Sequence, residues 1–178
     1  ERMRITQDGT LLIGTTTELD SGKLQVKTGQ NSGGIATKTD TATSYRDVCS
    51  NHTTGSANRY WHIKTNISQN ANIMFVGHVE GYSYGNSGHI IDIKRSGYMY
   101  NPSNDVINSQ TVNNGSDTSN TSLNEYNSSD GYLVFVCDFG GGYYSGGTFH
   151  MLFPSPAGWN HDLEILGSVM NSTSTGHF

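Results

Sequence analysis

Residues 59–67 read Arg-Tyr-Trp-His-Ile-Lys-Thr-Asn-Ile, in which side chains of two kinds alternate. Trp61, Ile63, Thr65 and Ile67 fall on one side of an extended chain, and the more polar residues between them fall on the other. A period of two over nine residues is typical of a half-buried β-strand and does not fit a helix. This segment therefore predicts a strand that packs one face on a core.

Further segments with strand character follow, each bounded by Gly, Asn, Ser or Pro: 73–80, 89–95, 131–139, 147–153 and 162–170. Together with 59–67 they predict an all-β fold, an antiparallel β-sandwich or jelly-roll-like head. Residues 101–130 are almost entirely Asn, Ser, Asp, Thr and Gly. We expect one weak strand there, at 106–112, and otherwise a surface loop.

The composition excludes several classes of protein. Hydrophobic residues make up 33% of the chain and charged residues only 14%, whereas disordered chains with so few apolar residues usually carry more charge. The net charge of −5, with ten Lys and Arg, provides no basic surface for nucleic acid. No apolar run approaches the roughly 20 residues that span a bilayer, so no membrane insertion is expected.

Two cysteines, Cys49 and Cys137, are too few for a disulfide framework. They are either buried free thiols, the favoured interpretation, or one long-range bridge.

The first forty residues differ from the rest of the chain. Short alternating stretches at 2–6, 11–14 and 23–27 predict three short strands, with Asp8-Gly9 as a tight turn. A segment of this size buries too little apolar surface to fold alone. Its apolar side chains need cover from elsewhere, and further copies of the same segment are the simplest source.

These residues also carry a resemblance to a known family. Glu-Arg-Met-Arg-Ile at 1–5, a turn, Leu-Ile-Gly-Thr-Thr at 12–16 and Lys-Leu-Gln-Val at 23–26 resemble the "ERMRI, turn, GIGTT, KLxV" stretch of tailed-bacteriophage tail fibres. The chain departs from that pattern at Leu12, where glycine is usual, and at Glu18-Leu19, where Ser-Pro is frequent. The resemblance implies an intertwined homotrimeric shaft joined to the rest of a tail fibre, a location in the virion, and a role in host attachment.

Residues 30–44 form a polar Gly- and Thr-rich connection without periodicity, which predicts a boundary. We expect a trimeric fibre shaft segment at 1–40 and a globular β head, the receptor-binding tip, at 41–178. The chain begins without a secretory signal pattern and is expected to be a fragment of a longer protein. Related fibres often carry an autocleaved C-terminal chaperone, which would make Phe178 a maturation point.

A short internal repeat places two pairs of tyrosines. Residues 74–84 end in Gly-Tyr-Ser-Tyr and residues 90–100 end in Gly-Tyr-Met-Tyr. Alternate residues of a strand point to one side, so Tyr82 and Tyr84, and likewise Tyr98 and Tyr100, should form two-ring ladders. Such rings could close the end of the core, pack across a threefold axis, or stack on a sugar.

Two glycine- or proline-rich loops add aromatic residues. Residues 140–147 predict a hairpin connection with positive φ that carries exposed Tyr143 and Tyr144, and residues 154–161 predict a rigid loop with Trp159 and Asn160. Rings for stacking and amides for hydrogen bonds fit a glycan or protein receptor on a host cell surface. The predicted receptor-binding residues are Tyr82, Tyr84, Tyr98, Tyr100, Tyr143, Tyr144, Trp159 and Asn160.

No catalytic or cofactor motif occurs, so the chain is expected to be a binding protein without enzymatic activity, cofactor or metal. One histidine per chain, His62, His78 or His150, could still form a threefold metal site in a trimer. Two alternatives remain: a small polysaccharide-degrading tailspike module that uses Asp162, Glu164 or Glu80, and a structural connector between shaft and tip.

Overall fold

A computed structural model of the chain describes residues 3–6, 11–13, 24–26, 34–38, 42–55, 57–84, 88–154 and 162–178. It is all-β, as predicted, and its described residues include no α-helix, only a single 3-10 turn at Asn101–Ser103. The strands are β1 (Met3–Ile5), β2 (Leu11–Ile13), β3 (Leu24–Val26), β4 (Ile35–Lys38), β5 (Ala42–Thr53), β6 (Tyr60–Ser68), β7 (Ile73–Tyr84), β8 (His89–Tyr100), β9 (Asp105–Asn113), β10 (Ser122–Asn127), β11 (Tyr132–Asp138), β12 (Tyr144–Pro154) and β13 (Ile165–Asn171).

The three N-terminal strands form a small sheet of their own. β1 pairs antiparallel with β2, and β2 pairs parallel with β3. The short strands predicted in the first forty residues are therefore present. The side chains of Met3 and Ile5 are 64% and 70% exposed in the single chain, so β1 leaves apolar surface in solvent.

The other ten strands form two antiparallel sheets. The smaller sheet has the order β10-β11-β6-β13, and the larger has the order β4-β5-β12-β7-β8-β9. The chain passes between the two sheets after β5, β6, β9, β11 and β12. Because every pair in both sheets is antiparallel, the coarse prediction of an antiparallel all-β head is confirmed.

The core lies between the facing surfaces of these two sheets. Phe135 of β11 contacts Phe75 of β7 edge to face, with ring centroids 5.4 Å apart, and Phe149 of β12 at 5.2 Å. A Cβ atom on Gly77 would lie 2.7 Å from the Phe135 ring, so glycine is needed there for the close approach. Alternating side chains of the central strands thus fill one shared hydrophobic layer.

Both cysteines of the chain are free thiols inside this core, as the favoured interpretation predicted. Burial raises the pKa of the Cys49 thiol to about 12, and burial also raises the pKa of Cys137. Both groups are therefore protonated, unreactive apolar side chains in the folded protein.

Three strands lie where the sequence predicted connections. β4 and the start of β5 fall within 30–44, and the rest of β5, up to Thr53, has no counterpart among the predicted strands. β10 falls within the predicted 101–130 loop, beside the expected β9. β4, β9 and β10 are edge strands, each paired with one neighbour. An edge strand buries little side-chain surface, so a polar sequence can form one and no clear alternation results.

The glycine-rich connection at 140–147 also differs from expectation. β11 and β12 belong to different sheets, so these residues cross between sheets and do not close a hairpin. The predicted positive φ is confirmed at Gly140 and Gly141, with values of 75° and 79°. The last strand begins at Ile165, so Asp162 and Glu164 precede it.

Within the described ranges, no helix has the length and apolar character needed to cross a bilayer.

Candidate functional site

Four tyrosines gather at one end of the larger sheet, on the face away from the core. β7 and β12 are neighbours, and their register places Tyr84 opposite Tyr144 and Tyr82 opposite Gly146. Tyr82, Tyr84, Tyr143 and Tyr144 are between 51% and 56% exposed. We call these four residues the tyrosine patch. Half-exposed rings on the outer face do not close the end of the core. Of the three roles considered for Tyr82 and Tyr84, packing across a threefold axis and stacking on a sugar remain.

The rings of the patch touch one another. The ring of Tyr143 meets that of Tyr144 edge to face with centroids 4.7 Å apart, and Tyr84 lies 6.2 Å from Tyr144. The Tyr143 amide also donates a hydrogen bond of 2.5 Å to the carbonyl of Tyr84. These separations fall in the range of favourable aromatic pairs, so the rings form one apolar surface.

The backbone beneath the patch is tightly packed. The hydroxyls of Ser83 and Ser145 are buried and hydrogen-bonded to each other at 2.8 Å. Gly88 has a φ of 61°, and a Cβ atom there would lie 2.3 Å from the Tyr82 hydroxyl oxygen. A larger residue at Gly88 would therefore displace the Tyr82 ring. Glycine at this position is required for the observed position of that ring.

A polar groove borders the patch. The groove has a volume of about 590 Å³. Gly146 lies opposite Tyr82, and because glycine has no side chain, the floor of the groove stays open there. A smaller depression of about 270 Å³ adjoins it and shares His52, Tyr82 and Gly146. The groove is lined by Ser50, Asn51, His52, Glu80, Gly81, Tyr82, Gly146, Gly147 and Thr148. Hydroxyl, amide and carboxylate groups therefore lie directly beside an aromatic ring.

The second tyrosine pair of the repeat lies elsewhere. Tyr98 and Tyr100 pack against each other with centroids 5.7 Å apart. Tyr98 is in register with Met74, eight residues before Tyr82 on β7. At about 3.3 Å per residue, that separation is roughly 26 Å. The structure thus brings Tyr82 and Tyr84 to Tyr143 and Tyr144 but leaves Tyr98 and Tyr100 at the opposite end. Trp159 and Asn160 lie outside the described residues.

Histidines and carboxylates form a second group on the same outer face, which we call the histidine cluster: His78, Glu80, Asp92 and His150. β7 places His78 opposite His150 of β12 and Glu80 opposite Asp92 of β8. The Nε2 atom of His78 lies 2.8 Å from an Asp92 carboxylate oxygen and 3.5 Å from one of Glu80. The Nε2 atom of His150 lies 3.5 Å from the other Glu80 oxygen.

A bulge in β5 positions His150. Phe149 pairs with Cys49 and Met151 with Tyr45, so three residues of β5 face the single residue His150. The backbone N–H of Asp47, in this bulge, donates to Nδ1 of His150 at 3.0 Å. Burial lowers the pKa of His150, although Glu80 and Asp47 partly oppose the shift. The imidazole is therefore neutral at neutral pH.

The acids considered for catalysis, together with Asp92 and Asp138 near the strand ends, are mostly dispersed. Asp138 is paired with Arg59, whose Nη2 lies 2.5 Å from the carboxylate. Asp162 and Glu164 are exposed and directly precede β13 of the smaller sheet. Glu80 lies on β7 of the larger sheet, so it does not share a sheet with them. Glu80 and Asp92 alone among these acids face each other across a strand pair, and Asp92 is hydrogen-bonded to His78.

Sequence reasoning did not assemble the groove or the histidine cluster. The usable signal was the alternation in β12, where Tyr144, Gly146, Thr148 and His150 share one face. Which strand lies beside that face depends on pairing between distant segments, and no local pattern encodes it.

Comparison of the chain with protein-family models, with curated proteins and with solved structures finds no match. Function is therefore inferred from the residues and their geometry.

Proposed function

We propose that this chain is the distal part of a tailed-bacteriophage tail fibre and that it binds a glycan on the host cell surface. The tyrosine patch and the adjoining polar groove are the proposed binding site. The observation that carries the proposal is the group of four half-exposed tyrosines on a packed sheet, directly beside hydroxyl, amide and carboxylate groups.

The chemistry of this surface suits a carbohydrate. A sugar ring presents apolar C–H groups on its faces and hydroxyls around its edge, which match an aromatic ring beside polar side chains. Tyrosine adds contact area while losing little conformational entropy, and its hydroxyl supplies a further hydrogen bond. Exposed aromatic rings in contact with one another are also unusual on a surface without a partner.

The N-terminal strands support the fibre part of the proposal. Their sequence resembles the tail-fibre shaft, and Met3, Ile5 and Ile13 are 64%, 70% and 36% exposed in the single chain. Three intertwined copies would bury such side chains in a common core. A trimer would also present three identical sites, so weak binding at each site would sum to firm attachment.

The proposal is tested by glycan-array binding and by competition with phage adsorption to host cells, using the purified chain. We expect Tyr82→Ala and Tyr144→Ala each to weaken binding by about tenfold, the size of one lost aromatic contact. Tyr100→Ala is the matched control, because it removes a partly exposed tyrosine from the far end of the same sheet, and it should bind normally.

Three outcomes would overturn the proposal. Unchanged binding by the Tyr82→Ala/Tyr144→Ala double variant would place the receptor site elsewhere. Release of reducing ends from host polysaccharide, abolished by Asp162→Asn or Glu80→Gln, would identify a depolymerase. Absence of any binding by the folded chain would favour a structural connector.

A further inference from the structure

The histidine cluster has the composition of a metal site. It shares Glu80 with the groove, but metal binding there would be detected whether or not the chain binds a receptor. His78, Glu80 and His150 each offer one donor atom, and these atoms all lie within 4.8 Å of one another. They come from adjacent strands in a fixed register, His78 and Glu80 from β7 and His150 from β12. Their relative positions are therefore set by the backbone of the sheet.

One donor of the cluster lacks a partner. The His150 side chain is only 8% exposed, and its Nε2 atom is buried. This atom makes no hydrogen bond with any described group. A Glu80 oxygen lies 3.5 Å from this atom, beyond ordinary hydrogen-bond distance. A buried polar atom left unsatisfied costs stability, so its retention calls for an explanation.

We propose that His78, Glu80 and His150 bind a divalent transition-metal ion, with Zn²⁺ as the ion that best fits their donors. Two imidazoles and one carboxylate form a ligand set that Zn²⁺ commonly takes in proteins.

The distances suit such an ion. Ligands about 2.1 Å from a tetrahedral centre lie roughly 3.4 Å from one another. One Glu80 oxygen lies 3.5 Å from Nε2 of His78, and the other Glu80 oxygen lies 3.5 Å from Nε2 of His150. Glu80 is 54% exposed and can adjust its rotamer, so an ion can enter from the solvent side.

Three donors from the protein leave the fourth tetrahedral position to solvent, and Asp92 bears on the site through His78. Without metal, Nε2 of His78 carries the proton, because its partner Asp92 is a carboxylate that only accepts. Metal binding at Nε2 requires this proton to leave the atom, either to Nδ1 of the same ring or to solvent. The 2.8 Å hydrogen bond between His78 and Asp92 is lost in this step.

His150 requires the same change of tautomer. Its Nδ1 now accepts from the Asp47 amide, so Nε2 carries the proton in the neutral ring. With metal on Nε2, the proton moves to Nδ1, and the Asp47 carboxylate, 3.8 Å away and 62% exposed, is the group that can accept it. The Asp47 peptide must turn aside for this contact to form. A carboxylate behind a metal-bound histidine is a common supporting arrangement.

The surrounding charge does not prevent cation binding. Arg46 and Lys94 line the adjacent pocket, together with His78 and His150. Glu80, Asp92 and Asp47 place three carboxylates against these two cations. These five charged groups therefore sum to a net charge of −1 around the two imidazoles.

The test is calorimetric titration of Zn²⁺ into the untagged, chelator-treated full chain at pH 7.5, with Co²⁺ absorption as a report of tetrahedral nitrogen and oxygen ligands. We expect one ion per chain and a higher melting temperature in the presence of Zn²⁺. Glu80→Gln, at an exposed position that does not threaten folding, should weaken binding at least tenfold. Asp47→Asn should weaken it less.

His89→Asn is the matched control, because His89 lies 3.5 Å from Asp117 in a His–Asp pair without a second histidine. It should bind Zn²⁺ like the parent chain. The proposal fails if the parent chain takes up no Zn²⁺, if Co²⁺ shows only octahedral absorption, or if the His78→Asn/His150→Asn variant, folded by circular dichroism, binds as tightly as the parent.

Discussion

At the level of single residues, burial controls the charge state of two histidines more than their neighbours do. His62 is fully buried, and its Nε2 donates to the carbonyl of Thr173 at 2.7 Å while its Nδ1 lies 3.2 Å from the Tyr126 hydroxyl. Burial lowers the pKa of His62; the bond to Thr173 opposes this shift, and His177 adds to it. His150, on the opposite sheet, also has a pKa lowered first by burial.

This gives a prediction for acid stability. Because the folded-state pKa of His62 lies below its ordinary value of 6.5, the unfolded chain takes up the proton first as the pH falls. The stability linked to neutral His62 is complete above pH 6.5 and is lost as the pH falls toward the folded-state pKa. The free energy of unfolding should decrease by up to about 1.4 kcal/mol per pH unit for this group.

Urea unfolding between pH 7.5 and 5 measures the effect. A His62→Gln variant keeps a donor for Thr173 and should show a shallower pH dependence than the parent chain. His52→Gln changes an exposed histidine and should leave the slope unchanged. Equal slopes for the parent and the His62→Gln variant would contradict the assignment.

At the level of elements, one arginine connects three strands at the edge of the two sheets. Arg95 of β8 forms a two-pronged ion pair with Glu125 of β10, and one of its contacts measures 2.6 Å. The same guanidinium donates to Thr111 and Ser109 of β9 at 2.7 and 2.9 Å. β9 and β10 are polar edge strands that bury little apolar surface. The contacts of Arg95 therefore stabilise the positions of these two strands, which hydrophobic burial alone would not fix.

Removing Arg95 should therefore be costly. Glu125 is only 8% exposed, and Arg95→Ala would leave its carboxylate buried without a cation. We expect a loss of about 3 kcal/mol in the free energy of unfolding, measured by chemical denaturation. Lys94→Ala, the exposed neighbour on the same strand, should change stability by less than about 0.5 kcal/mol.

A double variant tests whether the cost comes from the unpaired charge. Arg95→Met combined with Glu125→Leu removes both charges and should recover much of the stability that Arg95→Ala loses, because no buried charge remains unpaired. If the Arg95→Ala variant were as stable as the Lys94→Ala variant, the connection between the sheets would not depend on this ion pair.

At the level of the whole molecule, the proposed trimer depends on the N-terminal strands. Ile5 is the most exposed large apolar side chain among the described residues. A three-stranded sheet of such short strands cannot cover itself, which is the physical reason to expect further copies of the chain. The described head, by contrast, contains a continuous core of its own.

Sedimentation tests this expectation directly. The parent chain should sediment at about three times its 19.3 kDa mass. Ile5→Asp should shift the population to the monomer, since a charge in a shared apolar core is strongly unfavourable. Val112→Asp, at an exposed apolar position on β9, should leave the trimer intact. A folded monomer of the parent chain would refute the shared shaft and weaken the case for a fibre.

The sequence alone determined the all-β class and the strands β6, β7, β8, β11 and β12, and it favoured free cysteines and exposed Tyr143 and Tyr144. It missed β5, although that strand lies inside the larger sheet. Alternation along a strand and the chemistry of turns are local, so the residues that carry them suffice. The edge strands β4 and β10 could not be predicted, because a strand paired on one side needs no apolar pattern. Only the tertiary structure brought Tyr82 to Tyr144 and His78 to His150, since the register between β7 and β12 is set by contacts between distant segments.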